Sequence, residues 1–148
     1  MDSVITKHFE RLENMYLSAP INAFFQPEIQ ISQGKAEISV TIKRDFFHAA
    51  GAVHGSVYFK MLDDAAFFAA NSLETEVFVL TTSFTTYLTR PVSTGLIRSV
   101  GRVVNRTKSQ FIAESIAYDS HNNEIARGNG IFVRSKISLA ETPGYNEK

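Results

Sequence analysis

The stretch that decides the fold is HAAGAVHGSVYFKMLDDAAFFAA, residues 48–70. Its first part contains two glycines, two histidines and no regular period, which indicates a loop. Residues 56–72 contain no proline or glycine and are rich in Ala, Leu, Met and Phe, so they are predicted to form a helix. This helix is apolar almost all round, which is typical of a buried helix.

The segments around this helix have strand patterns. Residues 36–42 alternate apolar and polar side chains after a turn at Gly34, as a half-buried strand does. An amphipathic helix is predicted over residues 3–18. Short polar turns, which imply antiparallel hairpins, separate four further strands over residues 76–89, 96–104, 110–118 and 125–137. The sequence therefore predicts an α+β domain in which an antiparallel sheet of about five strands wraps around one long helix.

Three regions follow from this order of elements. Residues 1–26 form an N-terminal helix and connector, residues 27–137 form the domain of sheet and helix, and residues 138–148 form a polar tail that is expected to fray. The total of 148 residues suits a single domain.

Composition argues against several classes of function. The 15 basic and 15 acidic residues give a formal net charge of zero, so no overall basic field favours nucleic acid. The absence of cysteine removes disulfides, thiolate zinc sites and a cysteine nucleophile. No apolar run approaches the roughly 20 residues of a membrane span, and the N-terminus does not resemble a signal peptide. We therefore expect a cytoplasmic protein that binds neither nucleic acid nor membrane.

The carboxylates of Asp63 and Asp64 are the unusual feature of the apolar helix. A buried charge is costly unless it is paired or functional. Asp64 has a ready partner in Lys60, four residues earlier on the same face. For Asp63 two interpretations stay open: Lys60 bridges both aspartates at an exposed edge, or Asp63 is a functional carboxylate.

The loop that enters the helix is the second candidate site. His48 and His54 flank it, and Gly55 allows a ligand to approach the free N–H groups and positive dipole of the helix N-terminus. Such a site can polarise a carbonyl group or hold an oxyanion. A metal site of both histidines and Asp63 can be drawn from the same residues, although the spacing of the histidines fits no helix or strand chelate. His8 and His121 are predicted to lie at the surface.

Two weaker patterns complete the candidates. One is a row of side chains on a single face of the strand over residues 76–89, which suits a solvated sheet or a polar site: Thr81, Ser83, Thr85 and Tyr87. The other is a basic set at a hairpin turn, either simply solvated or a clamp for phosphates: Arg102, Arg106 and Lys108. The sequence contains no G-x-S-x-G, P-loop or G-x-G-x-x-G motif, so serine hydrolase, NTPase and Rossmann functions have no support.

Residues 48–70 resemble the signature of the hot-dog fold acyl-CoA thioesterases of the phenylacetate-degradation-related, PaaI-like group. That signature is Asn, two residues, Gly, two residues and His-Gly-Gly, with an acid nine residues after the His. Gly51, His54 and Gly55 match, and the acid at the required distance is Asp63. Segments of the later strands also resemble those of the family and follow one another in the same order. The resemblance therefore covers about residues 27–135.

Two positions depart from the pattern. His48 stands where the family has Asn, and Ser56 stands where it has the second Gly of the motif. An imidazole can donate to a thioester oxygen as an amide does, and its charge varies near neutral pH. Serine is a good helix cap, so we expect the loop to keep its form.

The resemblance implies a fold, an assembly and a mechanism. Hot-dog subunits pair their sheets edge to edge into dimers, which often pair into tetramers, with active sites at the subunit interface. The Gly55 N–H would polarise the thioester carbonyl, and Asp63 from the other subunit would act as general base or as nucleophile. Thr81 would position the water. The substrate would be an acyl-CoA, and no metal or further cofactor is implied.

The resemblance also implies contacts with the rest of the substrate, and alternative functions stay open. Ser56 and Ser83 would lie beside the substrate, and the three basic residues at the hairpin turn would contact phosphates of coenzyme A. Four aromatic residues are candidates for the wall of an acyl pocket: Phe59, Phe67, Phe68 and Phe78. The alternatives are a hot-dog hydratase or dehydratase that acts on acyl thioesters, and a non-catalytic acyl-CoA-binding protein.

Overall fold

The computed structural model describes residues 3–146, within which every predicted element is present with its ends within two residues of the expected ones. The helices are α1 (Ser3–Ser18), α2 (Asn22–Phe25) and α3 (Gly55–Asn71). The strands are β1 (Glu28–Ser32), β2 (Lys35–Thr41), β3 (Val77–Leu88), β4 (Leu96–Arg106), β5 (Gln110–Tyr118) and β6 (Glu124–Ser138). No helix within residues 3–146 has the length and apolar character that crossing a membrane requires.

All the strands belong to one antiparallel sheet in the order β1-β2-β4-β5-β6-β3. The described chain has six strands where about five were predicted. The additional strand, β1, is only five residues long and forms a tight hairpin with β2 through Gly34, whose φ of 72° favours glycine. The other edge of the sheet is β3, which pairs with β6 on one side.

Helix α3 lies against one face of this sheet and is fixed there by close contacts. Ser99 on β4 donates its hydroxyl to the carbonyl of Met61 at 2.6 Å, and Ser115 on β5 donates to that of Leu62 at 2.7 Å. Both serines are buried. A Cβ atom at Gly101 would collide with the backbone of α3, so glycine permits the close approach. These contacts hold the helix on both sides of the aspartate pair, at Met61 and Leu62 before it and at Ala65 after it.

The C-terminal end of α3 is tied to the start of β3 by the fully buried side chain of Asn71. Its amide nitrogen donates to the carbonyls of Glu74 and Val77, each at 3.1 Å. Its oxygen accepts the N–H of Val79 at 2.9 Å. Every polar atom of this amide side chain is engaged, so the path of the chain from helix to strand is specified, and with it the position of Thr81.

The C-terminal segment is packed, so the prediction that it frays is wrong for the residues described, which extend to 146. Leu139 is fully buried and Tyr145 is only 7% exposed. Gly144, with a φ of 88°, lies so close to α1 that a Cβ atom would collide with Met15 and Ser18. The apolar residues of this short polar segment anchor it to the N-terminal helix.

His8 is buried, which corrects the prediction that it lies at the surface. One ring nitrogen lies 2.9 Å from the carbonyl oxygen of Asn71, and the other lies 2.8 Å from the hydroxyl of Tyr145. The ring therefore joins α1, the end of α3 and the C-terminal segment, and burial lowers its pKa. His121 is exposed, as predicted.

Candidate active site

Asp63 lies in the middle of α3 and points towards β3. Its Oδ1 accepts a hydrogen bond from the hydroxyl of Thr81 at 2.9 Å. Burial raises the pKa of Asp63 to about 6, the hydrogen bond from Thr81 opposes the rise, and the charge of Asp64 adds to it. A carboxylate with this pKa is mostly ionised at neutral pH and is basic enough to accept a proton there.

The two aspartates have different partners, so the interpretation in which Lys60 bridges both is wrong. Lys60 Nζ lies 2.6 Å from Oδ2 of Asp64, and the pair is largely buried. The same oxygen accepts the hydroxyl of Tyr16, on α1, at 2.7 Å. Sequence reasoning did not single out Tyr16. The available signal was a tyrosine on the apolar face of an amphipathic helix, because a buried hydroxyl needs a partner.

A β-bulge separates Thr81 from the other hydroxyl residues of β3. Thr81 pairs in register with Phe132 and Ser83 pairs with Ile131, so Thr82 is an extra residue. One extra residue reverses the alternation of side chains, which places Thr81 on the helix face and Ser83 on the opposite face. The prediction that both residues share one face, with Thr85 and Tyr87, is therefore wrong.

A cavity of about 510 Å³ opens beside Asp63 and Thr81. Its lining is mostly apolar and comes from α3, from β3, from the end of α1 with the connector that follows it, and from the C-terminal segment. Three of the four aromatic residues predicted to form a pocket line it: Phe67, Phe68 and Phe78. Phe59 lies elsewhere, where its partly exposed ring packs edge-on against Phe84. The carboxylate thus stands at the polar end of an apolar chamber.

The N-terminus of α3 begins at Gly55, and His54 is its cap. The Nδ1 atom of His54 accepts the N–H of Ser56 at 3.0 Å and lies 2.8 Å from the Ser56 hydroxyl. The expectation that Ser56 caps the helix is therefore wrong, because the imidazole takes that role. The N–H of Gly55 has no hydrogen-bond acceptor among residues 3–146. This free donor lies at the positive end of the α3 dipole.

His48 and Gly55 line a second cavity, of about 330 Å³, together with Tyr58 and Leu88. His48 is exposed, and its Nδ1 accepts the N–H of Ala50 at 3.0 Å. This cavity does not contain Asp63, which lies eight residues, or about 12 Å, further along α3.

The metal alternative gains no support from the geometry. Its two histidines lie at the loop and cap of α3, whereas Asp63 lines the other cavity. Within the described part of the chain, no three His, Asp or Glu side chains come close enough together to hold a metal ion.

The basic residues lie apart from both cavities. Arg102 lies on the outer face of the sheet, in register with Lys35 and Glu114 on its two neighbouring strands. Arg106 and Lys108 are exposed at the β4–β5 hairpin. A bulge between Val103 and Asn105 changes the alternation of side chains between Arg102 and Arg106. The described residues of one subunit therefore do not assemble these three side chains into one clamp.

Comparison with known proteins shows the family and the fold of this chain. The family model "Thioesterase superfamily" matches residues 50–126. A putative esterase from Sulfurisphaera tokodaii is 27% identical over 103 residues, which are 70% of this chain and 77% of that protein.

Two solved structures share the fold. The E. coli PaaI protein from the phenylacetic acid degradation operon superposes with a TM-score of 0.83 at 18% identity, covering 92% of this chain and 99% of that one. A thioesterase family protein from Silicibacter pomeroyi superposes with a TM-score of 0.79 at 23% identity. The match covers 85% of this chain and 96% of that one. The family match covers half of the chain, and the sheet packs around one long helix as in the hot-dog fold. This protein therefore belongs to the thioesterase superfamily and is a hot-dog hydrolase that acts on thioesters.

Proposed function

We propose that this protein is an acyl-CoA thioesterase, which hydrolyses a thioester to a free acid and coenzyme A, with Asp63 activating the attack. The observation that carries the proposal is the state of this carboxylate. It stands at the polar end of an apolar cavity and is hydrogen-bonded to the Thr81 hydroxyl. None of the ion pairs among residues 3–146 involves it. A carboxylate in this state is free to take a proton or to attack a carbonyl carbon.

Two routes are open to Asp63. As a general base, it takes a proton from water while the water oxygen bonds to the carbonyl carbon. The C–S bond then breaks, and the departing sulfur receives the proton from Asp63. As a nucleophile, the carboxylate displaces the thiolate and forms an acyl anhydride, which water hydrolyses. After a single turnover in H₂¹⁸O, label in Asp63 identifies the anhydride route with water attack on the aspartyl carbon, because the general-base route places the label only in the product acid.

The carbonyl oxygen requires donors, and the second cavity offers two. The N–H of Gly55 has no acceptor within the described range 3–146 and lies at a helix N-terminus, where negative charge is stabilised. The Nδ1 atom of His48 accepts a backbone N–H, so the neutral ring carries its hydrogen on Nε2, which can donate. We propose that these two groups bind the thioester oxygen.

Donors and carboxylate line separate cavities in one subunit, so we propose that each active site combines two copies of the chain. Strand β3 is an edge strand, and its exposed apolar side chains include Leu80, Tyr87 and Leu88. An exposed edge of this kind favours pairing with another strand. Antiparallel pairing of two β3 strands brings the Thr81 end of one copy towards the Leu88 end of the other. Since Leu88 contacts the Gly55 cavity, pairing brings the two half-sites together.

For the coenzyme A portion we retain Arg102, Arg106 and Lys108 as proposed phosphate contacts, with Ser56 and Ser83 beside the substrate. The test compares acyl-CoA with the matching acyl-pantetheine thioester, which lacks the nucleotide. Replacing a true phosphate contact by Ala raises KM for the first substrate and not for the second. Equal effects on both substrates would remove that residue from the proposal.

The decisive experiment measures thiol release from short, medium, long and aryl acyl-CoAs with Ellman's reagent. The protein has no cysteine, so it adds no background. We expect turnover of at least one substrate and a loss of about 10³-fold in Asp63→Asn. Asp64→Asn is the matched comparison, because it changes the adjacent carboxylate and leaves the base in place, so its loss should be at most about tenfold. Binding without release would support an acyl-CoA-binding protein, and water addition or removal on the acyl chain would support a hydratase.

A further inference from the structure

The adjacent aspartates of α3, Asp63 and Asp64, have unequal numbers of hydrogen-bond and ion-pair partners. Asp64 receives both the Lys60 ammonium, at 2.6 Å, and the Tyr16 hydroxyl, at 2.7 Å, on a single oxygen. Asp63 receives the Thr81 hydroxyl and no other hydrogen bond from the side chains of residues 3–146. Lys60 precedes the two aspartates by three and four residues, and both spacings bring side chains together on a helix. The position of the Lys60 ammonium therefore decides which aspartate is ion-paired.

Aromatic rings from the N-terminal segment surround the Lys60 ammonium. Its Nζ lies 5.1 Å from the ring centre of Tyr16 and 4.9 Å from that of Phe25, within the range of cation–π attraction. The Lys60 and Asp64 side chains are only 12% and 19% exposed, so water screens their attraction weakly. The segment that includes α1 and α2 thus holds the cation against Asp64.

We infer that the buried Lys60–Asp64 pair, held by Tyr16, is a positioning device that keeps the cation of the cavity lining, Lys60, away from Asp63 and so preserves Asp63 as an unpaired base. This inference rests on the proposed role of Asp63. The titratable groups lining the Asp63 cavity are Lys60 and Asp64 on α3 and Tyr16 on α1, and β3 contributes only the Thr81 hydroxyl.

The electrostatics of the site agree with this arrangement. Burial raises the pKa of Asp63, the Asp64 charge supports the rise, and Lys60 opposes it. If Asp64 is neutral, its charge no longer raises the Asp63 pKa, and the Lys60 ammonium is released to pair with Asp63. An opposite charge at contact distance typically lowers a carboxylate pKa by about 1 to 3 pH units, and a base of lower pKa accepts a proton less readily.

The test compares pH profiles of kcat/KM for wild type, Asp64→Asn and the double variant Lys60→Met/Asp64→Asn. We expect Asp64→Asn to lower the acidic midpoint by about 1 to 2 pH units and the plateau rate by about threefold to tenfold. In the double variant no cation remains, so the midpoint should return to the wild-type value or above. Replacing both members of a buried pair is also tolerated better than replacing one, so the double variant tests the inference even if the single variant fails to fold.

Failure of this inference is distinguishable from failure of the proposed function. If Asp63→Asn stays active, the assigned base is wrong. If Asp63→Asn is inactive while Asp64→Asn keeps the wild-type midpoint, or if the double variant has a lowered midpoint, the positioning role is overturned. Carboxyl ¹³C NMR titration of ¹³C-aspartate-labelled protein, with the Asp63 signal assigned from Asp63→Asn, follows the same ionisation without relying on activity.

Discussion

The Thr81 hydroxyl donates to Oδ1 of Asp63 at 2.9 Å and joins the edge strand of the sheet to the middle of the central helix. This bond stabilises the ionised form of Asp63, whereas burial stabilises the neutral form more strongly. The ionised carboxylate of Asp63 is therefore more basic than an exposed aspartate, which favours proton transfer, but its burial lowers the free energy of unfolding. Both consequences can be measured.

Replacing Thr81 by Val removes the hydroxyl that lowers the Asp63 pKa. The Asp63 pKa of about 6 predicts a wild-type midpoint of the kcat/KM profile near that pH, and we expect the variant's midpoint to lie higher, because the ionised carboxylate loses its donor. Turnover at pH 7 should fall by about 10- to 100-fold, the usual effect of a hydrogen bond to a charged group. Thr81→Ser is the matched control, since it keeps the hydroxyl. Equal losses in the two variants would show that the hydroxyl has no specific role, because Thr81→Ser keeps it.

Asp63→Asn should make the protein more stable while it abolishes activity. Burial raises the pKa of Asp63 from 3.8 to about 6, so folding favours the protonated form. That stabilisation is complete below pH 3.8 and is lost as pH rises through about 6. At pH 8 the variant avoids the cost of an ionised buried carboxylate, and its free energy of unfolding should exceed that of wild type by about 1–3 kcal/mol. Urea unfolding at pH 5 and pH 8 checks this, because the gain must be smaller at pH 5.

The role of the Gly55 N–H can be tested without changing the course of the helix. Gly55 is the first residue of α3, a position that proline favours, and His54 before it already has the extended conformation (φ −64°, ψ 144°) that precedes proline. Gly55→Pro therefore removes one unpaired N–H and preserves the helix start. We expect kcat to fall by about 10²- to 10³-fold. Gly55→Ala is the control, since its Cβ meets the same Leu88 side chain and its N–H remains.

The central helix could be predicted from local sequence, and the proposal of a functional acid in it came from a signature that spans fewer than 25 residues. The composition of residues 56–72 indicated the buried helix, and the family signature, with an acid nine residues after His54, proposed Asp63 rather than Asp64. The bulge at Thr82 could not be predicted, since a run of hydroxyl residues has no apolar alternation in which a one-residue shift would appear.

Long-range packing accounts for the other errors. His8 contacts Tyr145, which is 137 residues away, and Tyr16 contacts Asp64, which is 48 residues away. No periodicity within α1 indicates which of its polar groups will find a distant partner. The short strand β1 was missed for a related reason, because its pairing with β2 specifies it more than its own composition does.

The connection between α3 and β3 offers a last prediction, which concerns the support of the site. Glu74 accepts a hydrogen bond from Arg134 at 2.8 Å and the N–H groups of Glu76 and Val77, and these donors hold its pKa below the usual range despite burial. A lowered pKa contributes stability above the pKa of the unfolded chain, and this contribution is lost as pH falls. Glu74→Gln should therefore cost about 1–3 kcal/mol at pH 7 and progressively less towards pH 4.

The matched control for Glu74 is Glu124, whose ion pair with Arg127 has a similar 2.7 Å distance but lies in solvent. Exposed pairs contribute little, so Glu124→Gln should change the free energy of unfolding at pH 7 by less than about 0.5 kcal/mol. Urea unfolding of both variants across pH 4–8 gives the two losses of unfolding free energy. A larger loss in Glu74→Gln shows that burial of the ion pair, and not ion pairing alone, causes the stabilisation. If the two substitutions had equal effects, the connection would not depend on Glu74, and another contact would have to hold β3, and with it Thr81, against the central helix.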